Sequence, residues 1–157
     1  MRIGIGQDSH RFDKNKKFVF GGVTFENYFG FKANSDGDVL IHSLCNALSS
    51  AIGGESLGSW SDDMCHKQGI TDSREYLKHI FNIVTQNFTI SNISIAVEAQ
   101  TPRLTSKEKE DVKKSLAEIF KINVNQIGIT YTSGEDLTAF GNNEGVQVFS
   151  TVLLQEK

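Results

Sequence analysis

The sequence predicts an α+β fold: a single domain over residues 1–157, built as an α/β sandwich in which one mixed sheet carries three helices on one face. Three observations predict it. Strand-like segments open and close the chain and recur in its second half. Three segments between them show apolar residues at helical spacing, two of them behind a capping-box pattern. No linker, internal repeat or low-complexity stretch divides a length that is ordinary for one domain.

Residues 2–8 (Arg-Ile-Gly-Ile-Gly-Gln-Asp) read as a short strand thinned by glycine, and close backbone approach is one reason for Gly in a strand. Arg11 to Lys17 reads as a polar loop. Phe18-Val19-Phe20 and Val23-Thr24-Phe25 are two strands meeting at Gly21-Gly22. Asp36 or Ser35 caps a helix from about Asp38 to Ile52, apolar over most of its circumference and therefore largely buried, with Gly53-Gly54 as its stop. Residues 55–71 read as irregular, and a loop this long is often functional.

Asp72-Ser73-Arg74-Glu75 and Thr105-Ser106-Lys107-Glu108 have the capping-box spacing. The helix behind the first turns Tyr76, Leu77, Ile80, Phe81 and Val84 inward, and the helix behind the second turns Val112, Leu116, Ile119 and Phe120 inward. Ile93, Ile95, Val97 and Ala99 alternate with Ser94, Ala96 and Glu98, the pattern of a half-buried strand. Ile127 to Thr132 is a further strand. Val146 to Leu154 is too continuously apolar for simple alternation and reads as a strand buried on both faces, partly at a subunit contact.

Composition narrows the function. Lys and Arg total 16 against 19 Asp and Glu, and they form no long patch, so nucleic-acid binding has no electrostatic footprint. The densest charge run, Lys107 to Lys114, alternates in sign like a solvated helix face. No apolar stretch approaches the roughly 20 residues that span a bilayer, and the N-terminus lacks the build of a secretion signal. Cys45 and Cys65 make no disulfide framework, and Cys45 reads as a small buried hydrophobe. A cytoplasmic protein without membrane or nucleic-acid partners is expected.

The chemistry concentrates in two places. Strand alternation puts Asp8 and His10 on one side of the sheet, and His42 comes from the buried helix above. A carboxylate and two imidazoles suit zinc or iron(II), and three protein ligands leave a coordination position free for catalysis. Asp38, four residues before His42, is placed to accept the second imidazole N–H. The plainer alternative makes His10 a loop histidine and His42 a satisfied buried one. His66 and His79 read as bystanders. The second place is Thr130, Thr132, Ser133, Gly134, Glu135 and Asp136, where hydroxyls and a glycine turn can donate to phosphate oxygens and Glu135 suits magnesium. A strand end running into a turn is the alternative there.

Gly4-x-Gly6-x-Asp8-x-His10, Gly21-Gly22-Val23, Ser35-Asp36-Gly37-Asp38 followed by His42, and Asp72-Ser73-Arg74-Glu75 occur in order along the chain. With Ala99-Gln100-x-Pro102-Arg103, Thr132-x-x-Glu135 and Glu144-Gly145, they give the whole sequence a resemblance. It resembles the 2-C-methyl-D-erythritol 2,4-cyclodiphosphate synthases of non-mevalonate isoprenoid biosynthesis.

The resemblance implies a homotrimer with active sites between neighbouring subunits. It implies zinc on Asp8, His10 and His42, and magnesium or manganese on Glu135 and the substrate phosphates. The reaction it implies converts 4-diphosphocytidyl-2-C-methyl-D-erythritol 2-phosphate to the cyclic diphosphate and CMP. Ala99, Thr101, Pro102, Arg103 and Leu104, with Thr132, Ser133 and Gly134, would hold the cytidine diphosphate. Asn34, Ser35, Ser56, Leu57, Gly58 and Asp63 would face the methylerythritol phosphate, beside Asp8, Ser9 and His10. Ser133 and Asn34 would assist the transition state.

This chain departs from the family at Asn34, where histidine is usual, and at Ser56, where aspartate is usual. Ser133-Gly134 replaces a pair of threonines. Ala139 and Asn142 replace an aromatic residue and an arginine that line the trimer axis in many members. Two rivals follow. One is a trimer of the same fold that binds zinc and nucleotide without catalysis. The other is an iron(II) oxygenase with a two-histidine, one-carboxylate triad, a centre otherwise associated with all-β scaffolds.

Overall fold

The computed structural model describes residues 1–157. Its elements are β1 (Arg2–Phe20), β2 (Val23–Phe31), α1 (Val39–Ala51), α2 (Gly58–Gln68), α3 (Ser73–Val84), β3 (Phe88–Glu98), α4 (Ser106–Phe120), β4 (Ile127–Thr132) and β5 (Gly145–Glu156). Short 3₁₀ turns occupy Val124–Gln126 and Gly134–Asp136. The strands form one mixed sheet in the order β2-β1-β5-β3-β4. β3 and β4 run parallel, and every other neighbouring pair is antiparallel.

The expected loop at Arg11–Lys17 is strand. β1 is 19 residues long and serves two partners. Arg2 to Arg11 pair with β5, and Phe12 to Phe20 pair with β2. Register shifts between Asp13 and Phe18 absorb the polar stretch as a bulge. Backbone pairing needs no apolar side chain, so polar composition did not end the strand.

Helix α1 lies directly on β1. Gly4 and Gly6 make this possible: a Cβ at Gly4 would stand 2.0 Å from the Ala47 carbonyl oxygen, and one at Gly6 would stand 2.1 Å from that of Ser43. Asp38 caps α1, correcting the expectation of Asp36 or Ser35. Its Oδ1 accepts from Ile41 N–H and Gly21 N–H, each at 3.0 Å, and its Oδ2 accepts from Gly22 N–H at 2.6 Å. One buried carboxylate thus closes the helix start and ties it to the β1–β2 turn.

The irregular stretch expected at residues 55–71 contains α2, so the helices number four rather than three. Ser61 is the only buried residue of α2, and Trp60, Met64 and Cys65 pack from its partly covered side. A helix so poor in apolar residues carries no stripe for periodicity to find. Gly69, at φ 69°, ends it.

The two capping signatures differ in outcome. At α4 the box is complete, with Glu108 N–H donating to Thr105 Oγ1 (3.2 Å) and Thr105 N–H donating to Glu108 Oε2 (2.7 Å). At α3 Asp72 accepts from Arg74 N–H (2.9 Å), while Glu75 turns outward to Lys78 (2.6 Å).

Within one protomer β5 is buried on one face only. Val146, Val148, Ser150, Val152 and Leu154 are buried under α1 and the core, and alternate with partly exposed Gln147, Thr151 and Leu153 and with exposed Phe149. The strand reads as continuously apolar because its outer face also carries apolar groups. Phe149 is 42% exposed, and Ile3 and Ile5 on the adjacent β1 are 70% and 66% exposed.

Candidate metal centre

Alternation along β1 aims Gly4, Gly6, Asp8 and His10 toward the helical layer. Because the two glycines bring α1 against the strand, His42 in the first turn of α1 reaches the same point. His10 Nε2 lies 3.2 Å from His42 Nδ1 and 3.1 Å from Asp8 Oδ2, and His42 Nδ1 lies 3.0 Å from Asp8 Oδ2. The three donor atoms form a nearly equilateral triangle. In a tetrahedral zinc site with bonds of about 2.0–2.1 Å, neighbouring ligand atoms stand roughly 3.3 Å apart. The donor set and its spacing fit a divalent cation, so Asp8, His10 and His42 form a metal-binding triad. For Asp8, burial acts to raise the carboxyl pKa. Hydrogen bonds and charge from His10 and His42, supplied when their rings are protonated, outweigh it and hold the group well below the usual carboxylate range.

The remaining imidazole nitrogen of His42 does not meet Asp38, as the sequence had suggested. Asp38 is turned to the helix start and its three backbone donors. Burial first, and then the neighbouring Asp36 charge, push its pKa up to about 6. His42 Nε2 instead lies 2.9 Å from Ser73 Oγ at the head of α3, and Ser73 Oγ lies 2.5 Å from Asp36 Oδ1. Sequence reasoning singled out neither residue for this role. Asp36 and Ser73 sit in motifs read only as caps and family markers.

The triad opens into a pocket of about 710 Å³. Asn34, Ser35, Ser56, Leu57 and Gly58 line it as expected. So does Asp62 of the same expected segment, and so do residues the sequence did not single out: Lys32, Asn46, Cys65 and Tyr76, together with His66, which was read as a bystander. Asn46 ties β1 to the loop before α2, donating to Gln7 O (3.2 Å) and accepting from Leu57 N–H (2.8 Å). Asp63 lies outside the lining and pairs with Lys67 at 2.9 Å, whereas its neighbour Asp62 is in the lining. Ser9 also lies outside the lining, since alternation turns it to the opposite face of β1. His79 is exposed and stands beside Trp60, with ring centroids 5.1 Å apart.

The second cluster sits elsewhere in the protomer. Ala99 to Leu104 follow β3 and Thr132 to Glu135 follow β4. These strands are parallel, so both segments leave the same end of the sheet, joined by Ala99 N–H donating to Thr132 O (3.0 Å). Ala99, Pro102 and Leu104 are buried, while Thr101 and Arg103 are exposed. Gly134 and Glu135 take left-handed backbone angles, φ 73° and 49°, and Ser133 Oγ donates to Glu135 Oε1 at 2.7 Å. Asp8 pairs with Val148, Val148 with Val97 and Val97 with Tyr131. β3 and β4 are therefore two and three strand spacings from Asp8, about 10 and 14 Å. One protomer does not bring Glu135 beside the triad.

The YgbB family pattern matches residues 1–155. A protein of Chlamydia muridarum named 2-C-methyl-D-erythritol 2,4-cyclodiphosphate synthase is 44% identical over 158 aligned residues, covering 99% of this chain and 88% of the relative. A protein of the same name from Chlamydia felis is 42% identical, with 99% and 89% covered. Among solved structures, the bifunctional IspDF from Campylobacter jejuni superimposes with a TM-score of 0.91 at 34% identity. It covers 99% of this chain, which spans 42% of that longer polypeptide. A CDP complex of IspF from Plasmodium falciparum gives 0.85 at 27% identity, covering 99% of this chain and 96% of the other.

Proposed function

This chain belongs to the YgbB family, and on that premise we propose that the Asp8–His10–His42 triad is the cation site of a 2-C-methyl-D-erythritol 2,4-cyclodiphosphate synthase. The enzyme is a phosphorus–oxygen lyase. In the substrate, an oxygen of the 2-phosphate bonds to the β-phosphorus of the diphosphate. The bond from that phosphorus to the bridging oxygen breaks, and CMP leaves with the bridging oxygen. The observation that carries the reading is the 3.0–3.2 Å triangle of donors opening into a polar pocket.

The nucleophile belongs to the substrate, which explains why the pocket needs no serine or cysteine nucleophile. The protein's task is to fold a polyanion so that two phosphate groups meet, and positioning of this kind is worth about 7–11 kcal/mol of a barrier. Zinc suits the two imidazoles and one carboxylate, and when bound it supplies positive charge and a Lewis acid to phosphate oxygens. Lys32 adds a fixed charge at the pocket wall. Asn34 and Ser35 offer neutral donors to phosphate. Leu57, held by Asn46, and Gly58 shape the wall facing the methylerythritol. Asn34 cannot supply the charge that a histidine would.

The nucleotide half is assigned to Ala99, Thr101, Pro102, Arg103 and Leu104 with Thr132, Ser133 and Gly134. Glu135 is assigned to magnesium or manganese shared with the substrate phosphates, and Ser133 to a nonbridging phosphate oxygen. Since a single protomer holds these groups apart from the triad, we assign them to a neighbouring copy in a homotrimer. The apolar outer face bearing Ile3, Ile5 and Phe149 supports such packing. No helix is long and apolar enough to cross a membrane. Two cysteines left as free thiols support placement in the cytoplasm.

Protein incubated with the diphosphocytidyl substrate and magnesium should release CMP, read by phosphorus NMR. Absence of CMP with nucleotide still bound would favour the non-catalytic trimer. The oxygenase alternative has no support in the relatives and none in the scaffold, where His42 comes from a helix.

A further inference from the structure

We propose that Asp36 and Ser73 fix the tautomer of His42, keeping Nδ1 bare toward Asp8 and His10 before any cation arrives. Both are positioning residues, and the proposal rests on the reading of Asp8, His10 and His42 as a cation site. Only an unprotonated imidazole nitrogen binds a cation, so a histidine that ligates through Nδ1 must carry its proton on Nε2. The neighbourhood of Nδ1 works against this. Asp8 Oδ2, 3.0 Å away, accepts hydrogen bonds and draws the proton onto the wrong nitrogen.

The opposing force comes from behind the ring. Nε2 lies 2.9 Å from Ser73 Oγ in the buried interior. A hydroxyl either donates or accepts, so this contact alone permits both tautomers. Asp36 removes the choice. Its Oδ1 lies 2.5 Å from Ser73 Oγ and accepts Asp38 N–H at 3.1 Å, and its Oδ2 accepts Ser73 N–H at 3.0 Å. A carboxylate accepts only, so the hydroxyl proton goes to Asp36. Ser73 then presents a lone pair to Nε2, and Nε2 must carry the hydrogen. Ser35 Oγ is the other hydroxyl near Nε2, but it lies 3.5 Å away and already accepts Gly37 N–H at 3.2 Å. Asp36 is itself pinned through its N–H to Thr71 O at 2.9 Å. Neither Asp36 nor Ser73 lines the substrate pocket, and Ser73 is fully buried.

Asp36→Asn tests this at constant size. Asp38 N–H and Ser73 N–H then compete for the one amide oxygen, and where it stays on Ser73 N–H the amide NH₂ falls beside Ser73 Oγ. The amide then donates to the hydroxyl, the hydroxyl proton turns to Nε2, and Nδ1 takes the ring proton. Metal-free wild type, Asp36→Asn and Ser73→Ala, each with ¹⁵N-labelled histidine, are compared by the ring-nitrogen shifts of His42 at a pH where the ring is neutral. Zinc affinity is measured in parallel by competition with a chromophoric chelator. Expected are Nε2–H in the wild type, Nδ1–H in Ser73→Ala with zinc binding about 10–100-fold weaker, and a larger Nδ1–H share than wild type in Asp36→Asn. Wild type already in the Nδ1–H form overturns the proposal. So does a folded Ser73→Ala that keeps Nε2–H, whatever its zinc affinity. A tautomer switch in a protein whose wild type binds no zinc would sustain the proposal and sink the cation reading instead. Should Asp36→Asn fail to fold, Ser73→Ala and the wild type decide by the same criteria.

Discussion

Gly6 lies directly beneath Ser43, so close that a single methyl group on Gly6 would stand 2.1 Å from the Ser43 carbonyl oxygen. That contact sets the height of α1 above β1, and with it the reach of His42 toward Asp8 and His10. Gly6→Ala should force the helix off the strand. Backbone cannot swing aside as a side chain can, so the cost should reach the upper part of the about 1–3 kcal/mol typical of overpacking. Urea unfolding would show a lower midpoint, and the zinc content of the folded fraction should fall with it. A variant with full stability and full zinc would mean that the glycine is not what seats the helix.

The same contact shows why the triad was legible in the sequence. Asp8 and His10 are two residues apart on a strand and so share a face, and a buried helix is the natural source of a third ligand. The helices α1, α3 and α4 were legible through their apolar spacing. Helix α2 was not, because its only buried residue is Ser61. The strand through Arg11–Lys17 was hidden because its pairing with β2 is made by backbone. Ser73 behind His42 was hidden because 31 residues of chain separate them. The division of labour between the triad and Glu135 came from resemblance alone, for no local pattern relates a strand end to a site several strands away.

Removing one corner of the triangle should remove the metal and spare the fold. His42 is 7% exposed and packs against Tyr76, with ring centroids 6.2 Å apart. His42→Ala leaves a small cavity and two ligands, too few to retain zinc tightly. Elemental analysis should show loss of stoichiometric zinc while the far-ultraviolet circular dichroism stays that of the wild type. Full zinc in the variant would rule His42 out as a ligand.

Glu135 should separate the two metal roles. It is exposed and about three strand spacings from the triad within one protomer. Glu135→Gln keeps the size of the side chain and its bond from Ser133 but loses the charge that a hard cation needs. Turnover at limiting magnesium should fall while zinc content holds. Unchanged turnover at limiting magnesium would remove this residue from the second metal site.

At Thr105 the expectation concerns stability alone. Its hydroxyl and Glu108 satisfy each other's backbone donors at the start of α4. Thr105→Ala should cost about 1 kcal/mol, within the range seen for lost N-caps. The measurement is the urea midpoint. Zinc content should match the wild type, since α4 supplies no ligand.

Acid should unfold the metal-free protein partly through Asp8. Its carboxyl is held well below the usual range by His10 and His42 against the opposing effect of burial. The folded chain therefore holds this carboxylate ionised at a pH where the unfolded chain, with an ordinary aspartate near 3.8, has bound a proton. The unfolded state carries the extra proton, so stability rises with pH through this window. The contribution is fully present above about pH 4 to 5 and is lost as pH falls toward the folded value. Asp8→Asn lacks it. In chelator-treated samples unfolded by urea, the wild type should lose stability more steeply than Asp8→Asn as pH drops from about 5 to 3. Parallel pH curves for the two proteins would mean that the imidazoles do not stabilise the Asp8 charge.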